Sequence, residues 1–233
     1  MDIIFPKFER FTTKLIFYRI PKNASTSIYN HLGDFNVIKL NEEAVLKKTD
    51  QKIYRNTLDP SHLKPKELKD LILGEGIRDF FSFCVVRNPW DRALSMYKHA
   101  ILNDIKYAYG ITEEDSFDAF CSILKERKDD PFFIASHKQS DWAFGGDEPS
   151  KILRFENLNY DYSEMLQEIN IVGINPSIPH LNKTEHEHYS NYYNDNTKKI
   201  ISEVYEKDID NFKYTFDKET KFKKDKEEGR LRI

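Results

Sequence analysis

Apolar residues along this chain fall into short continuous runs, each followed by a stretch with helical spacing. The runs occupy residues 14–19 (KLIFYR), 80–87 (FFSFCVVR) and 151–155 (KILRF). The helical stretches occupy residues 23–32, 89–101, 162–169 and 195–209. Runs that are too short for a buried helix predict strands. Strands that alternate with helices predict a three-layer α/β fold, with a central, largely parallel sheet flanked by helices.

Prolines and capping residues mark where several of these elements begin and end. Pro21 prevents the first strand from continuing as a paired ladder. Asn88 is a good N-cap and Pro89 a good first helical residue, and Asn194 or Asp195 caps the last helix. In open α/β sheets, ligands bind outside the carboxyl ends of the strands. The polar residues after the first two strands are therefore the first candidates for a site.

Two long polar segments and a charged tail interrupt the alternation. Residues 34–79 and 103–150 are irregular excursions, which in a compact domain are usually lids or substrate loops. Residues 217–233 contain twelve charges of mixed sign, which predicts a solvated tail. We therefore expect a single domain over residues 1–216, followed by this tail.

The overall charge excludes partners that need a broad basic surface. Thirty-six Lys and Arg against 39 Asp and Glu give a net charge of −3, so any anion site must be local and neither nucleic acid nor an anionic membrane is an expected partner. No window approaches the roughly 18 apolar residues of a membrane span. Cys84 lies in an apolar run, where a buried thiol is more usual than a disulfide with Cys121. A soluble, cytoplasmic protein is expected.

The loop after the first strand, residues 21–27 (PKNASTS), has the composition of an anion site. A turn bearing Lys22 and a helix whose first turn is rich in hydroxyls bring a cation, backbone N–H groups and the positive end of a helix dipole toward one spot. The nucleotide-binding pattern G-x-x-x-x-G-K-[ST] is absent, because no glycine precedes Gly33. The alternative is a helix capped by Asn23 and Ser25, with Lys22 in solvent.

A second polar cluster follows the most apolar strand. Arg87 ends this strand, and Arg92, Ser95 and His99 share a helix face other than the apolar stripe. An Arg and a Ser in this place can bind a second phosphate. The alternative is an arginine paired with a nearby carboxylate such as Asp91.

Together, the two segments resemble the nucleotide-binding motifs of a known family. IPKNASTSI at 20–28 is similar to the 5′-phosphosulfate-binding loop of the sulfotransferases that use 3′-phosphoadenosine 5′-phosphosulfate (PAPS), and FCVVRNPWDRALSMYKH at 83–99 resembles their 3′-phosphate-binding strand and helix. Their carbohydrate branch, which includes the heparan sulfate 2-O-sulfotransferases, is also matched by QSDW at 139–142, ILRFENL at 152–158 and PHLNKTEHEHYSNYY at 179–193. The resemblance extends from Leu15 to about Phe216. A chain without a membrane anchor or luminal disulfides fits a soluble bacterial or viral form.

The resemblance implies a P-loop-like sulfotransferase fold and a role for each motif residue. Lys22 corresponds to the catalytic lysine that reaches the bridging oxygen of PAPS. The residues that correspond to the 5′-phosphate loop are Asn23, Ala24, Ser25, Thr26 and Ser27. Arg87 and Ser95 match the pair that holds the 3′-phosphate. The residues that correspond to a loop closing over the nucleotide are Asn182, Lys183 and Thr184. No metal is required, because protein cations meet the charge of the leaving group.

Relatives place a catalytic base between the two nucleotide motifs, where this chain has His62. The alternative for His62 is an exposed loop histidine, and His31 is the rival base. His186 and His188 can be explained by a polar turn, since no third metal ligand with suitable spacing is evident. Trp142 is either a packing residue or part of the platform that binds the acceptor.

The resulting expectation is a sulfotransferase that moves the sulfuryl group of PAPS to a hydroxyl of a carbohydrate or small-molecule acceptor and leaves 3′,5′-ADP. Two alternatives from other classes stay open. One is a Mg²⁺-dependent nucleotide kinase or NTPase with a degenerate loop. The other is a nucleotide-binding or glycan-binding module without turnover.

Overall fold

A computed structural model describes most of the chain. The described residues are 2–5, 15–32, 36–39, 62, 64–69, 80–112, 114–146, 148–171, 177–178 and 187–217. The chain divides into two compact units. The first consists of Met1–Arg87 and Lys138–Lys183, and the second of Asn88–His137 and Thr184–Ile233.

The first unit contains a five-stranded sheet in the order β3-β1-β2-β4-β5. The strands are β1 (Asp2–Phe5), β2 (Leu15–Tyr18), β3 (Asn36–Lys39), β4 (Phe81–Val86) and β5 (Lys151–Arg154). Strands β2, β4 and β5 are parallel, and β1 pairs antiparallel with both β2 and β3. The predicted α/β fold with a parallel sheet is therefore confirmed, and an antiparallel edge is added to it.

The helices that the structure describes in the two units cover the four predicted stripes with shifted ends, and the stripe at 195–209 is divided between two helices. The described helices at 65–68, 117–126 and 140–143 were not predicted. In chain order the helices are α1 (Ser25–His31), α2 (Pro65–Leu68), α3 (Pro89–Leu102), α4 (Phe117–Glu126), α5 (Ser140–Ala143), α6 (Leu158–Glu168), α7 (Asp195–Val204) and α8 (Glu206–Phe212). Asn88 caps α3 by accepting from the Trp90 N–H at 3.1 Å, and Asn194 caps α7 by accepting from the Thr197 N–H at 2.9 Å. Both cap predictions are confirmed.

The core of the first unit fixes the position of the loop between β2 and α1. Alternate residues of the parallel strands pack against α1 and α6, and the Phe17 and Phe83 rings stack with their centroids 4.7 Å apart. Ile28 on α1 and Leu32 directly after α1 are fully buried in the same cluster. Because β2 and α1 are both anchored, residues 21–27 are held at the carboxyl end of β2.

The second unit is a helical cluster built around α3, α4 and α7. The expectation that residues 103–150 form only lids or substrate loops is wrong, because Phe117, Phe120 and Leu124 of α4 are core residues. Residues 34–79 likewise include a strand and a helix. Arg92 is fully buried in this unit and donates to the His137 carbonyl at 3.0 Å, which makes it a core residue of the second unit.

Three residues that the sequence singled out are buried. Trp142 on α5 has no exposed surface, which favours the packing role over an exposed acceptor platform. Cys84 and Cys121 are both buried and unbridged. Among the residues that the structure describes, no helix is long and apolar enough to cross a membrane.

Candidate active site

The loop at residues 21–27 adopts backbone conformations that usually require glycine. Lys22 has φ 69° and Ala24 has φ 59°, both in the left-handed region. Each non-glycine residue in that region costs about 1 kcal/mol or more, and such costs concentrate at functional sites. Left-handed residues next to right-handed ones also turn successive backbone N–H groups toward one concavity, which is how many anion sites are built. The loop therefore contains two left-handed residues, as anion-binding turns of this kind do, but without glycine.

The alternative of a simply capped helix is wrong. The N-cap of α1 is Ala24, and no side chain caps the helix. Ser25 is buried and its hydroxyl donates to the Ile20 carbonyl at 2.9 Å, so in this arrangement Ser25 can offer an anion its backbone N–H but not its hydroxyl proton. Asn23 is also committed elsewhere.

Asn23 is nearly fully buried and ties the loop to the neighbouring strand. Its side-chain nitrogen donates to the Val85 carbonyl at 2.7 Å and to Oε1 of Gln139 at 2.6 Å. Gln139 is itself fully buried just before α5. Sequence reasoning missed Gln139 as a site residue, although it opens the QSDW motif, because its partners are far away along the chain.

Arg87 lies at the carboxyl end of β4 beside this loop. It is only 8% exposed, and its guanidinium donates to the Lys22 carbonyl at 3.0 Å. The guanidinium also stands 4.0 Å from the centroid of the Phe155 ring, in a cation–π contact that restrains its orientation. The structure thus brings together Lys22 and Arg87, which the sequence placed in separate motifs.

The pKa of Lys22 is lowered in this cluster. Burial, followed by the nearby Arg87 guanidinium, lowers the pKa of Lys22 from its ordinary value of 10.5 to about 8. Burial and Arg87 both disfavour the charged form of Lys22. A bound anion stabilises that charged form, because it places a negative charge beside the two cations. The electrostatics of this cluster therefore favour an anionic ligand.

We expect the affinity for 3′,5′-ADP to fall as pH rises through the titration of Lys22. The phosphates are fully ionised above pH ~7.5, so the ammonium of Lys22 is the group that changes. With a pKa of about 8 in the ligand-free protein, affinity should drop by up to about tenfold between pH 7.5 and 9.5. Calorimetry over this range tests it. Lys22→Arg, which stays charged, should flatten the profile, and a flat wild-type profile would contradict the prediction.

His62 lies near the same loop. Its Nδ1 is 2.6 Å from the Arg19 carbonyl, and Arg19 directly follows β2. Because a carbonyl only accepts hydrogen bonds, this contact places the proton of a neutral ring on Nδ1 and leaves Nε2 as the nitrogen that can take up a proton. The rival His31 ends α1, where its ring packs edge-on against Tyr162 with centroids 5.5 Å apart. That contact is typical of a structural histidine.

The segment that carries His62 is anchored to α5. Lys64 forms a salt bridge with Asp141 at 3.2 Å, and its ammonium stands 5.4 Å from the centroid of the Trp142 ring. The N–H of Lys64 donates to the Glu67 carboxylate at 2.7 Å as α2 begins. These contacts hold the short segment after His62 in place.

The other predicted residues are distributed as follows. On α1, Thr26 is exposed and Ser27 is buried. Ser95 is buried on α3 in the second unit, so its pairing with Arg87 stays a prediction. The predicted residues outside the described part of the chain are Asn182, Lys183, Thr184 and His186.

The possible histidine metal site gains no support from the part of the chain that is described. His188 accepts from the Ser190 N–H at 3.4 Å in a short turn. No group of three or more metal-ligating side chains is found among the described residues.

Comparison with known proteins identifies the class of protein. A sequence model described as the sulfotransferase family matches residues 10–215, which include the loop at 21–27 and Arg87. The chain therefore belongs to the sulfotransferase family. No curated protein and no solved structure matches the chain.

Proposed function

We propose that this protein transfers the sulfuryl group of PAPS to a hydroxyl of a carbohydrate or small-molecule acceptor. The observation that carries the proposal is the contact between Lys22 and Arg87 in a chain of the sulfotransferase family. This contact joins the residue that corresponds to the catalytic lysine with one that corresponds to a 3′-phosphate ligand. The alternatives, an NTPase or a binding module, have no such specific support.

The donor set around the loop fits PAPS chemically. Lys22 and Arg87 supply two cations, and the turn at 21–27 supplies backbone N–H groups. Charge-assisted hydrogen bonds from such groups are the usual means of holding phosphate and sulfate oxygens. In the proposal, residues 22–27 hold the 5′ end of the nucleotide, and Arg87 with Ser95 holds the 3′-phosphate. The nucleotide is then covered by a loop that contains Asn182, Lys183 and Thr184.

The chemistry assigned to the protein is positioning, charge stabilisation and proton transfer. PAPS supplies an activated sulfuryl group on a phosphate leaving group. Lys22 meets the negative charge that develops on the bridging oxygen. His62 accepts the proton of the acceptor hydroxyl at Nε2, while its Nδ1 stays bonded to the Arg19 carbonyl. Protein cations perform the role that Mg²⁺ has in NTPases, so no metal is needed in this proposal.

Arg87 should determine the preference for a 3′-phosphate. Wild-type protein is expected to bind 3′,5′-ADP at least about tenfold more tightly than AMP, because a charge-assisted bond to phosphate contributes about 1.5 to 3 kcal/mol. Arg87→Ala should erase this preference, as measured by calorimetry. Arg127, which pairs with Asp130 at 2.7 Å in the second unit, provides the control Arg127→Ala. Equal wild-type affinities for the two nucleotides would overturn the assignment of the cofactor.

A thermal-shift comparison separates the proposed function from its alternatives. A ligand that binds only the folded state raises the melting temperature by mass action. A PAPS-dependent enzyme should respond most to 3′,5′-ADP, with or without Mg²⁺. A response to ATP that needs Mg²⁺ would favour a kinase or NTPase. Selective binding of 3′,5′-ADP without transfer from labelled PAPS to any of a panel of sugars and small alcohols would favour a binding module.

The acceptor class and a cytoplasmic location stay predictions. The same panel of sugars and alcohols addresses the first, because the acceptor hydroxyl becomes labelled. A carbohydrate-branch enzyme should label a sugar.

A further inference from the structure

Gln139 forms an unusual pair of hydrogen bonds with the main chain of Arg87. Its Oε1 accepts from the Arg87 N–H at 2.8 Å, and its Nε2 donates to the Arg87 carbonyl at 2.7 Å. A side-chain amide thus satisfies both main-chain groups of the residue directly after β4, as a neighbouring strand would do. Gln139 is fully buried, so water does not compete with these bonds.

The same amide also holds the loop that carries Lys22. Oε1 of Gln139 accepts a further bond from Asn23 at 2.6 Å, and Asn23 bonds the Val85 carbonyl with its other hydrogen. Gln139 therefore holds Arg87 directly, by bonds to the Arg87 main chain, and holds Lys22 indirectly, by its bond to the neighbouring Asn23. The contact between the Arg87 guanidinium and the Lys22 carbonyl is then restrained from both sides.

We propose that Gln139 is a positioning residue that sets the spacing of the Lys22 and Arg87 cations to receive two anionic groups of one ligand. The inference rests on the proposed function for the identity of that ligand. Gln139 reaches the ligand through its two neighbours and takes no part in the chemistry. Hydrogen bonds in a buried network of this kind rigidify the groups that they join.

The role requires the particular chemistry of glutamine. The site needs two acceptor positions, for Arg87 and Asn23, and one donor for the Arg87 carbonyl. A primary amide offers both in one plane. Methionine has nearly the same length and neither function, and asparagine keeps the amide on a side chain that is one methylene shorter. Gln139→Met therefore removes the hydrogen bonds to Arg87 and Asn23. Gln139→Asn weakens them while keeping a polar group in the buried space.

A matched control is available at the opposite end of β4. There the Ser82 N–H donates to the Ser150 hydroxyl at 3.1 Å, and the Ser150 N–H donates to the Ser82 hydroxyl at 3.2 Å. The first bond joins a side chain to the main chain of β4, and the second joins the Ser82 side chain to the main chain just before β5. Both lie at the end of β4 away from the loop at 21–27. Ser82→Ala should destabilise the same strand without moving Lys22 or Arg87.

The experiment measures melting temperature, affinity for 3′,5′-ADP and the titration of Lys22 in the purified full chain. Titration is followed by the pH dependence of Lys22 labelling with an amine reagent, quantified by mass spectrometry of its peptide. Gln139→Met should weaken 3′,5′-ADP binding at least about tenfold. It should also move the titration midpoint upward from about 8 toward the ordinary lysine value of 10.5 as Lys22 gains solvent. Gln139→Asn should show smaller changes in the same directions.

The outcomes separate a positioning role from simple stabilisation. Ser82→Ala should leave binding and Lys22 titration unchanged even where its melting temperature falls as much as that of Gln139→Met. If Gln139→Met does not fold, Gln139→Asn decides. A folded Gln139 variant with the wild-type midpoint and affinity would overturn the inference. A wild-type protein with no preference for 3′,5′-ADP over AMP would instead overturn the proposed function, and the Lys22 titration would still test Gln139.

Discussion

Lys22→Met should lower the rate of sulfuryl transfer by about a hundredfold to a thousandfold at saturating donor. The ammonium of Lys22 is assigned to charge that develops mainly in the transition state, so its removal should affect turnover more than the binding of 3′,5′-ADP. The measurement is steady-state transfer of label from PAPS, together with calorimetry of 3′,5′-ADP. Binding should weaken by about tenfold or less.

The fold of this variant can be checked independently. Lys22 is half-buried and its pKa is lowered to about 8, so its charge destabilises the ligand-free folded protein. Loss of this charge should therefore not reduce the melting temperature. Lys151, which pairs with Glu168 at 2.6 Å at the start of β5, gives the control Lys151→Met. A Lys22→Met enzyme that binds poorly but turns over normally when saturated would show that Lys22 is only an anchor.

His62→Ala should reduce turnover by about a hundredfold to ten-thousandfold, the usual size of a general-base contribution. Affinity for 3′,5′-ADP should hardly change, because the assigned role of His62 concerns the acceptor. Wild-type activity should fall as pH drops through the histidine range, since protonation of Nε2 removes the base. The activity that remains in the variant should not show this fall at low pH. Transfer assays with labelled PAPS from pH 5 to 8 measure both effects.

His99→Ala is the matched control for His62. His99 belongs to the second unit, and its Nδ1 lies 2.8 Å from the side-chain nitrogen of Asn103, so its loss should leave turnover and the pH profile intact. A His62→Ala enzyme that keeps more than about half of the wild-type turnover would eliminate His62 as the base. Variants of His31 and then of a carboxylate such as Glu75 would be the next to test.

The central strands and main helices could be predicted from the sequence because their signals are local. The apolar run at 80–87 contains β4, and the Asn88-Pro89 pair marks the start of α3. Strand β1, in contrast, carried no comparable signal in the sequence. Residues 2–5 form β1 by pairing antiparallel with β2 and β3, and this pairing depends on contacts distant in sequence. Strand content at the edge of the sheet was therefore missed.

The candidate site could be predicted by residue type but not by geometry. Lys22 and Arg87 were found because a strand followed by polar residues is a local pattern. The left-handed conformations of Lys22 and Ala24 could not be predicted, because a positive φ is uncommon for residues other than glycine and has no sequence signal there. Gln139 bonds Asn23 across 116 positions, and no spacing rule connects residues so far apart. Contacts of this kind arise only when the fold is complete.

The bonds between Gln139 and Arg87 also bear on how this chain can diverge. The chain leaves the first unit after Arg87 and re-enters it at Lys138, so the amide joins the two sides of an insertion close to its ends. The backbone positions at both ends of residues 88–137 are therefore held together within the first unit. Changes at exposed turns of residues 88–137, in natural or designed variants, should then leave the backbone of Lys22 and Arg87 unaltered, whereas Ser95 and the helical core that α3 and α4 share with α7 have to be kept.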